Sequence, residues 1–96
     1  MDTPAIAALA NWRIDFDPYG LMQDLHALAQ APLVEDILQL SQQNDPSRIL
    51  DLGYYQDRYR LFVIADYDWQ QPLAQFEAVS ASEIGDCLLE ALVNYA

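Results

Sequence analysis

The stretch Ile49–Trp69, ILDLGYYQDRYRLFVIADYDW, decides the fold. It contains two strand-like runs joined by a polar turn at Gln56, Asp57 and Arg58, and so predicts a β-hairpin. In the second run Tyr59, Leu61, Val63, Ala65, Tyr67 and Trp69 fall on one face, while Phe62 and Ile64 lie on the other between Arg60 and Asp66. One face is apolar along its length and the other only in its middle. A strand buried on both sides at its centre has neighbours on each side, so residues 59–66 belong inside a sheet.

Downstream, Gln70-Gln71-Pro72 makes a turn, after which Ala74, Phe76 and Ala78 alternate with Gln75 and Glu77. This pattern predicts a third strand, antiparallel to the second and at an edge, where outward polar side chains are tolerated. Ser80 with Glu83 three residues on is a capping box, and Ile84, Cys87, Leu88, Ala91, Leu92 and Tyr95 follow the i, i+3, i+4, i+7, i+8, i+11 spacing of one buried helical face. A helix over 81–94 packed on the sheet is expected.

Upstream, Thr3-Pro4 and Asp17-Pro18 each combine a capping side chain with a proline that needs no donor in a first turn. They predict a short helix to about Asn11 and a second to about Gln30, the latter with Leu21, Leu25, Leu28 and Ala29 inward. Ala31-Pro32 reads as a break, and Leu33, Val34, Ile37, Leu38 and Ser41 then predict a third helix ended by Asn44-Asp45-Pro46. Trp12-Arg13-Ile14-Asp15-Phe16 fits either a short strand or an extended connection. The whole is expected to be a single α+β domain over 1–96. Its three-stranded antiparallel sheet (49–55, 59–67, 73–79) carries the N-terminal helices and the C-terminal helix (81–94) on one face.

The charge is the unusual feature of the composition. Eleven Asp and four Glu stand against four Arg and no Lys, for a net charge of −11. Such a surface repels phosphate backbones and anionic lipid and attracts a basic protein surface or a cation, though small proteins are also acidic for solubility alone. Direct nucleic-acid and membrane binding are therefore not expected. The single Cys87 cannot form an internal disulfide, MDTPAIAAL lacks the features of a signal peptide, and no apolar run reaches the roughly 18 residues of a membrane span. These observations point to the cytoplasm.

Catalytic signals are weak. His26 and Cys87 are each alone of their kind, Cys87 falls on the buried helical stripe, and Gly20, Gly53 and Gly85 form no phosphate loop. Asp15 with Asp17 and Asp66 with Asp68 offer oxygen ligands, yet neither pair continues as a calcium-binding loop. No enzyme activity, metal or cofactor is expected.

Two features favour an interaction role. Glu83, Asp86 and Glu90 occupy i, i+3 and i+7 of the last helix, an acidic ridge roughly 10 Å long without a cation at i±4. Tyr54, Tyr55, Tyr59, Tyr67 and Trp69 crowd the hairpin, and the exposed members are expected on the Phe62 face. The expected partner-binding residues are thus Tyr54, Tyr67, Trp69, Glu83, Asp86 and Glu90. They suit a non-catalytic adaptor, assembly chaperone or inhibitor that engages a basic or partly apolar protein, with a homodimer as another use of the same surface. The alternatives are a nucleic-acid mimic that blocks a DNA- or RNA-binding protein and an acidic calcium-binding protein.

Overall fold

The computed structural model describes residues 9–96. The helix expected from Thr3 to about Asn11 falls mainly outside these residues. The described chain forms one antiparallel sheet of five strands rather than three. These are β1 (Trp12–Phe16), β2 (Leu38–Gln42), β3 (Ile49–Tyr55), β4 (Arg58–Ile64) and β5 (Ala74–Ala78), followed by helix α1 (Ala81–Asn94). Their spatial order is β1-β2-β3-β4-β5, a meander.

The expected hairpin is β3–β4, and β4 is an interior strand, paired with β3 on one side and the edge strand β5 on the other. Its two-residue turn places Gln56 and Asp57 at φ 55° and 65°, both left-handed, which matches the twist of the flanking strands. The strand stops earlier than its alternation implies. Asp66 and Tyr67 adopt φ 56° and 57°, and the Asp68 amide donates to the Ala65 carbonyl at 3.0 Å, so a turn carries Tyr67 and Trp69 out of the sheet.

Leu38 and Leu40 of β2 lie opposite Leu52 and Leu50 of β3, which lie opposite Leu61 and Val63 of β4. This row forms the sheet's side of the core. Helix α1 contributes Ile84, Leu88, Ala91 and Leu92, all buried, and packs on β4 and β5. Its cap is the expected one, with Ser80 Oγ accepting from the Glu83 amide at 3.2 Å. Burying a leucine-sized side chain stabilises by about 1.5–3 kcal/mol, so Ile84, Leu88 and Leu92 hold the two layers together. At the far end of α1, Trp12 Nε1 donates to the Leu92 carbonyl at 3.0 Å and Arg48 to the Tyr95 carbonyl at 3.4 Å. Both carbonyls are among those a helix end leaves unpaired, and the cation also suits the negative end of the dipole.

The helices expected between Asp17 and Asn44 do not form. Asp17 is a cap, its carboxylate accepting from the Leu21 and Met22 amides at 2.8 and 3.0 Å, but Gly20 at φ 70° makes a turn instead of a helix. Asp24 restarts the chain by accepting from the His26 amide, and only a 3-10 helix, Leu25–Gln30, follows. Residues 32–37 form neither helix nor strand, bending at Glu35 and Ile37, and Leu38–Gln42 is a strand. Its apolar positions satisfy a helical spacing and an alternating one equally. The exposed edge of β3 settles the choice, because pairing there buries Leu38 and Leu40 and fills a backbone ladder at once. Asn44-Asp45-Pro46 accordingly turns β2 into β3, with the Asp45 carboxylate accepting from the Ser47 amide and hydroxyl. Trp12–Phe16 is a strand, paired with β2.

Where β2 approaches β3, the Ile37 amide donates to the Leu52 carbonyl at 3.0 Å and the Tyr54 amide to the Val34 carbonyl at 2.8 Å. Residues 34–37 therefore arch over Gly53. A Cβ at Gly53 would stand 1.9 Å from the Glu35 carbonyl oxygen, so only glycine fits.

Candidate functional site

The β4–β5 connection presents the largest exposed aromatic side chains. Tyr67 is 61% and Trp69 49% exposed, with Leu73 beside them in the chain also exposed. Left-handed backbone at non-glycine residues costs of the order of 1–3 kcal/mol each, so the Asp66-Tyr67 turn is held at the expense of stability. The loop is tied to the sheet at both ends, the Tyr67 amide donating to the Ser47 carbonyl at 3.3 Å and the Leu73 amide to the Val63 carbonyl at 2.7 Å. Within it the Asp68 carboxylate accepts from the Gln70 and Gln71 amides at 3.2 and 3.3 Å.

Tyr67 and Trp69 thus sit on a loop at the sheet's end, not on the Phe62 face. Tyr54 does not join them. It is partly buried and meets Tyr59 edge to face at 5.0 Å on the core side of the sheet. Tyr55 is the tyrosine of the Phe62 face, where the Arg60 guanidinium lies 5.3 Å from its ring.

Glu83, Asp86 and Glu90 are all exposed on α1, as expected. The arginines are engaged elsewhere: Arg13 with Asp15 at 3.0 Å, Arg48 at the α1 terminus, and Arg58 and Arg60 both with Glu77. Among the described residues no cation pairs with the ridge. Cys87 lies between these acids and the core. Burial first, and then Glu90, Asp86 and Glu83, push its thiol pKa up, which leaves it a poor nucleophile.

Two clefts flank these features. The larger, about 490 Å³, runs between the 3-10 helix and α1. Its walls include Leu25, Leu28 and Leu89, with Asp24 and Asp86 among its polar residues. Gly85 lines it as well. A glycine inside a helix costs about 1 kcal/mol relative to alanine, and a Cβ at Gly85 would meet nothing within 4 Å. Among the described residues no packing requires this glycine.

The smaller cleft, about 250 Å³, opens on the opposite face of the sheet among Asp15, Phe16, Asp36, Gln39 and Asp51. Asp51, between Gln39 and Phe62 in the ladder, is raised to a pKa of about 6, mainly by burial and secondarily by the Asp36 carboxylate. The sequence reading missed it. The available signal was an acid in mid-strand between two core leucines, Leu50 and Leu52, on a face it had assigned as apolar only at its centre.

Among the described residues, no group of three or more His, Cys, Asp and Glu side chains is placed to hold a metal ion. Asp15 and Asp17, and Asp68 of the second pair, bind protein groups instead. Among the same residues no helix is long and apolar enough to cross a membrane. Compared with known families, curated proteins and solved structures, the chain has no significant match.

Proposed function

We propose that this chain is a non-catalytic binding module for another protein, acting as an adaptor, assembly chaperone or inhibitor. The observation that carries the reading is the pair Tyr67 and Trp69, exposed together on a turn with left-handed backbone at two non-glycine residues. Aromatic side chains dominate binding energy at protein interfaces because they bury large areas with little loss of rotamer freedom. Leaving two of them in water, on a backbone that itself costs stability, fits a partner that covers them. The net charge of −11 favours a partner with a basic surface, because complementary charge speeds encounter and rejects acidic competitors.

Affinity capture with the wild-type chain and with a Tyr67→Ala/Trp69→Ala variant, washed at low and high salt, tests this reading. A partner retained by the wild type at high salt and lost by the variant supports it. Equal retention by both chains counts against it.

A second reading rests on the ridge of Glu83, Asp86 and Glu90, which no arginine neutralises among the described residues. Carboxylates in a row resemble the charge of a nucleic-acid strand, and the chain would then block a nuclease or defence complex. That reading predicts capture of a nucleic-acid-binding protein that is released by salt and displaced by DNA.

A further inference from the structure

We propose that the cleft between the 3-10 helix and α1 is a docking groove for a basic amphipathic helical segment of a partner protein. The inference rests on the reading of the chain as a binding module and adds a second contact, separate from the aromatic loop. Three observations carry it. The groove is of ligand-binding size, about 490 Å³, and its walls include the aliphatic side chains of Leu25, Leu28 and Leu89. Asp24 and Asp86, both exposed, belong to the same cleft and belong to a chain of net charge −11, so charge complementarity selects a cationic occupant. Gly85 leaves α1 without a side chain where the cleft meets it, although the fold would accept one there. A bare helix backbone lets another chain approach closely, and this supplies a reason for the glycine that packing among the described residues does not.

An occupant with leucine-like side chains on one face would enter between Leu25 and Leu89, with its lysines or arginines near Asp24 and Asp86. This is the helix-in-groove mode of recognition. His26 also lines the cleft.

The test uses the full chain and a fluorescein-labelled peptide of about 15 residues, with leucines at i, i+3, i+4 and i+7 and lysines elsewhere, beside a scrambled peptide of the same composition. Anisotropy at about 150 mM salt measures both, since weaker charge attraction is largely screened there. The amphipathic peptide is expected to bind at least about tenfold more tightly than the scrambled one. Gly85→Leu, which fills the groove, is expected to remove that preference with the melting temperature unchanged or raised. Gly85→Ala is expected to raise the melting temperature and keep the preference, and Asp24→Asn with Asp86→Asn to weaken binding several-fold.

Equal binding of the two peptides, absence of binding, or a preference that survives Gly85→Leu would overturn the groove. A preference abolished by Tyr67→Ala/Trp69→Ala but not by Gly85→Leu would overturn it too, while leaving the binding-module reading in place.

Discussion

Replacing Asp51 with asparagine is expected to stabilise the protein at neutral pH and to change the pH dependence of its stability. The Asp51 carboxyl has a folded-state pKa of about 6 against an ordinary 3.8, raised by burial and then by Asp36. The folded state therefore binds more protons than the unfolded state between these two values, and stability falls as pH rises through that window and is flat above it. A difference of about 2 units corresponds to about 3 kcal/mol at full effect, and partial solvent access reduces it to about 1–2 kcal/mol. Asparagine keeps the shape and removes the charge. For a chain of this size each kcal/mol moves the melting temperature by about 4–8 °C. Thermal melts of the wild type and Asp51→Asn from pH 7.5 to pH 4, at constant ionic strength, measure the gap between them. It should be widest above pH 6, narrow through pH 5 and nearly close at about pH 4. Asp45 works in the opposite direction: its hydrogen bond from Ser47 lowers its pKa, so its contribution is lost only below the ordinary carboxylate range, in both proteins. A gap that stays constant across this range would refute the reasoning, because a burial-driven shift cannot be independent of protonation.

Gly53→Ala should destabilise by about 2–4 kcal/mol, read from denaturant melts, because the added Cβ meets the Glu35 carbonyl backbone at 1.9 Å. Trp12→Phe keeps the ring but leaves the Leu92 carbonyl without its 3.0 Å donor, and should cost about 1–2 kcal/mol in the same assay. Ser41, 2% exposed with a hydroxyl that has no partner among the described residues, should tolerate alanine with no loss or a gain of about 1 kcal/mol. Because fifteen acids face four arginines, raising salt from about 10 to 200 mM should raise the melting temperature, and an unchanged value would mean that repulsion between the acids is negligible.

The parts of the fold legible in the sequence are those fixed by local signals. The β3–β4 hairpin, the polar outward residues of edge strand β5 and the Ser80 cap of α1 each follow from residues close together in the chain. The first half was not legible for a physical reason. Leu33, Val34, Ile37, Leu38 and Ser41 fit a helix, and nothing local says that Leu38 and Leu40 will instead meet Leu52 and Leu50. Non-local pairing overrode a local pattern, and with it β1 gained a partner. Proline after a capping residue was a correct sign of a turn at Asp17-Pro18 and a misleading sign of a helix, since Gly20 directs the chain out of the helical region.

The candidate surfaces divide along the same line. The acidic ridge followed from helical spacing and is exposed as expected. The alternation assigns Tyr67 and Trp69 to the apolar face of the strand, but the strand ends at Ile64 and the turn that follows leaves both exposed. The Asp24–Asp86 cleft and the Asp51 cleft join residues distant in sequence, and no spacing reveals them.

Hydrogen–deuterium exchange of the chain, free and bound to the partner retained at high salt, tests the central claim most directly. The account predicts protection on binding at residues 65–73, around Tyr67 and Trp69, and at residues 24–29 and 82–89 if the groove is occupied as well. Protection confined to the Asp51 face, or no partner retained at high salt, would contradict it.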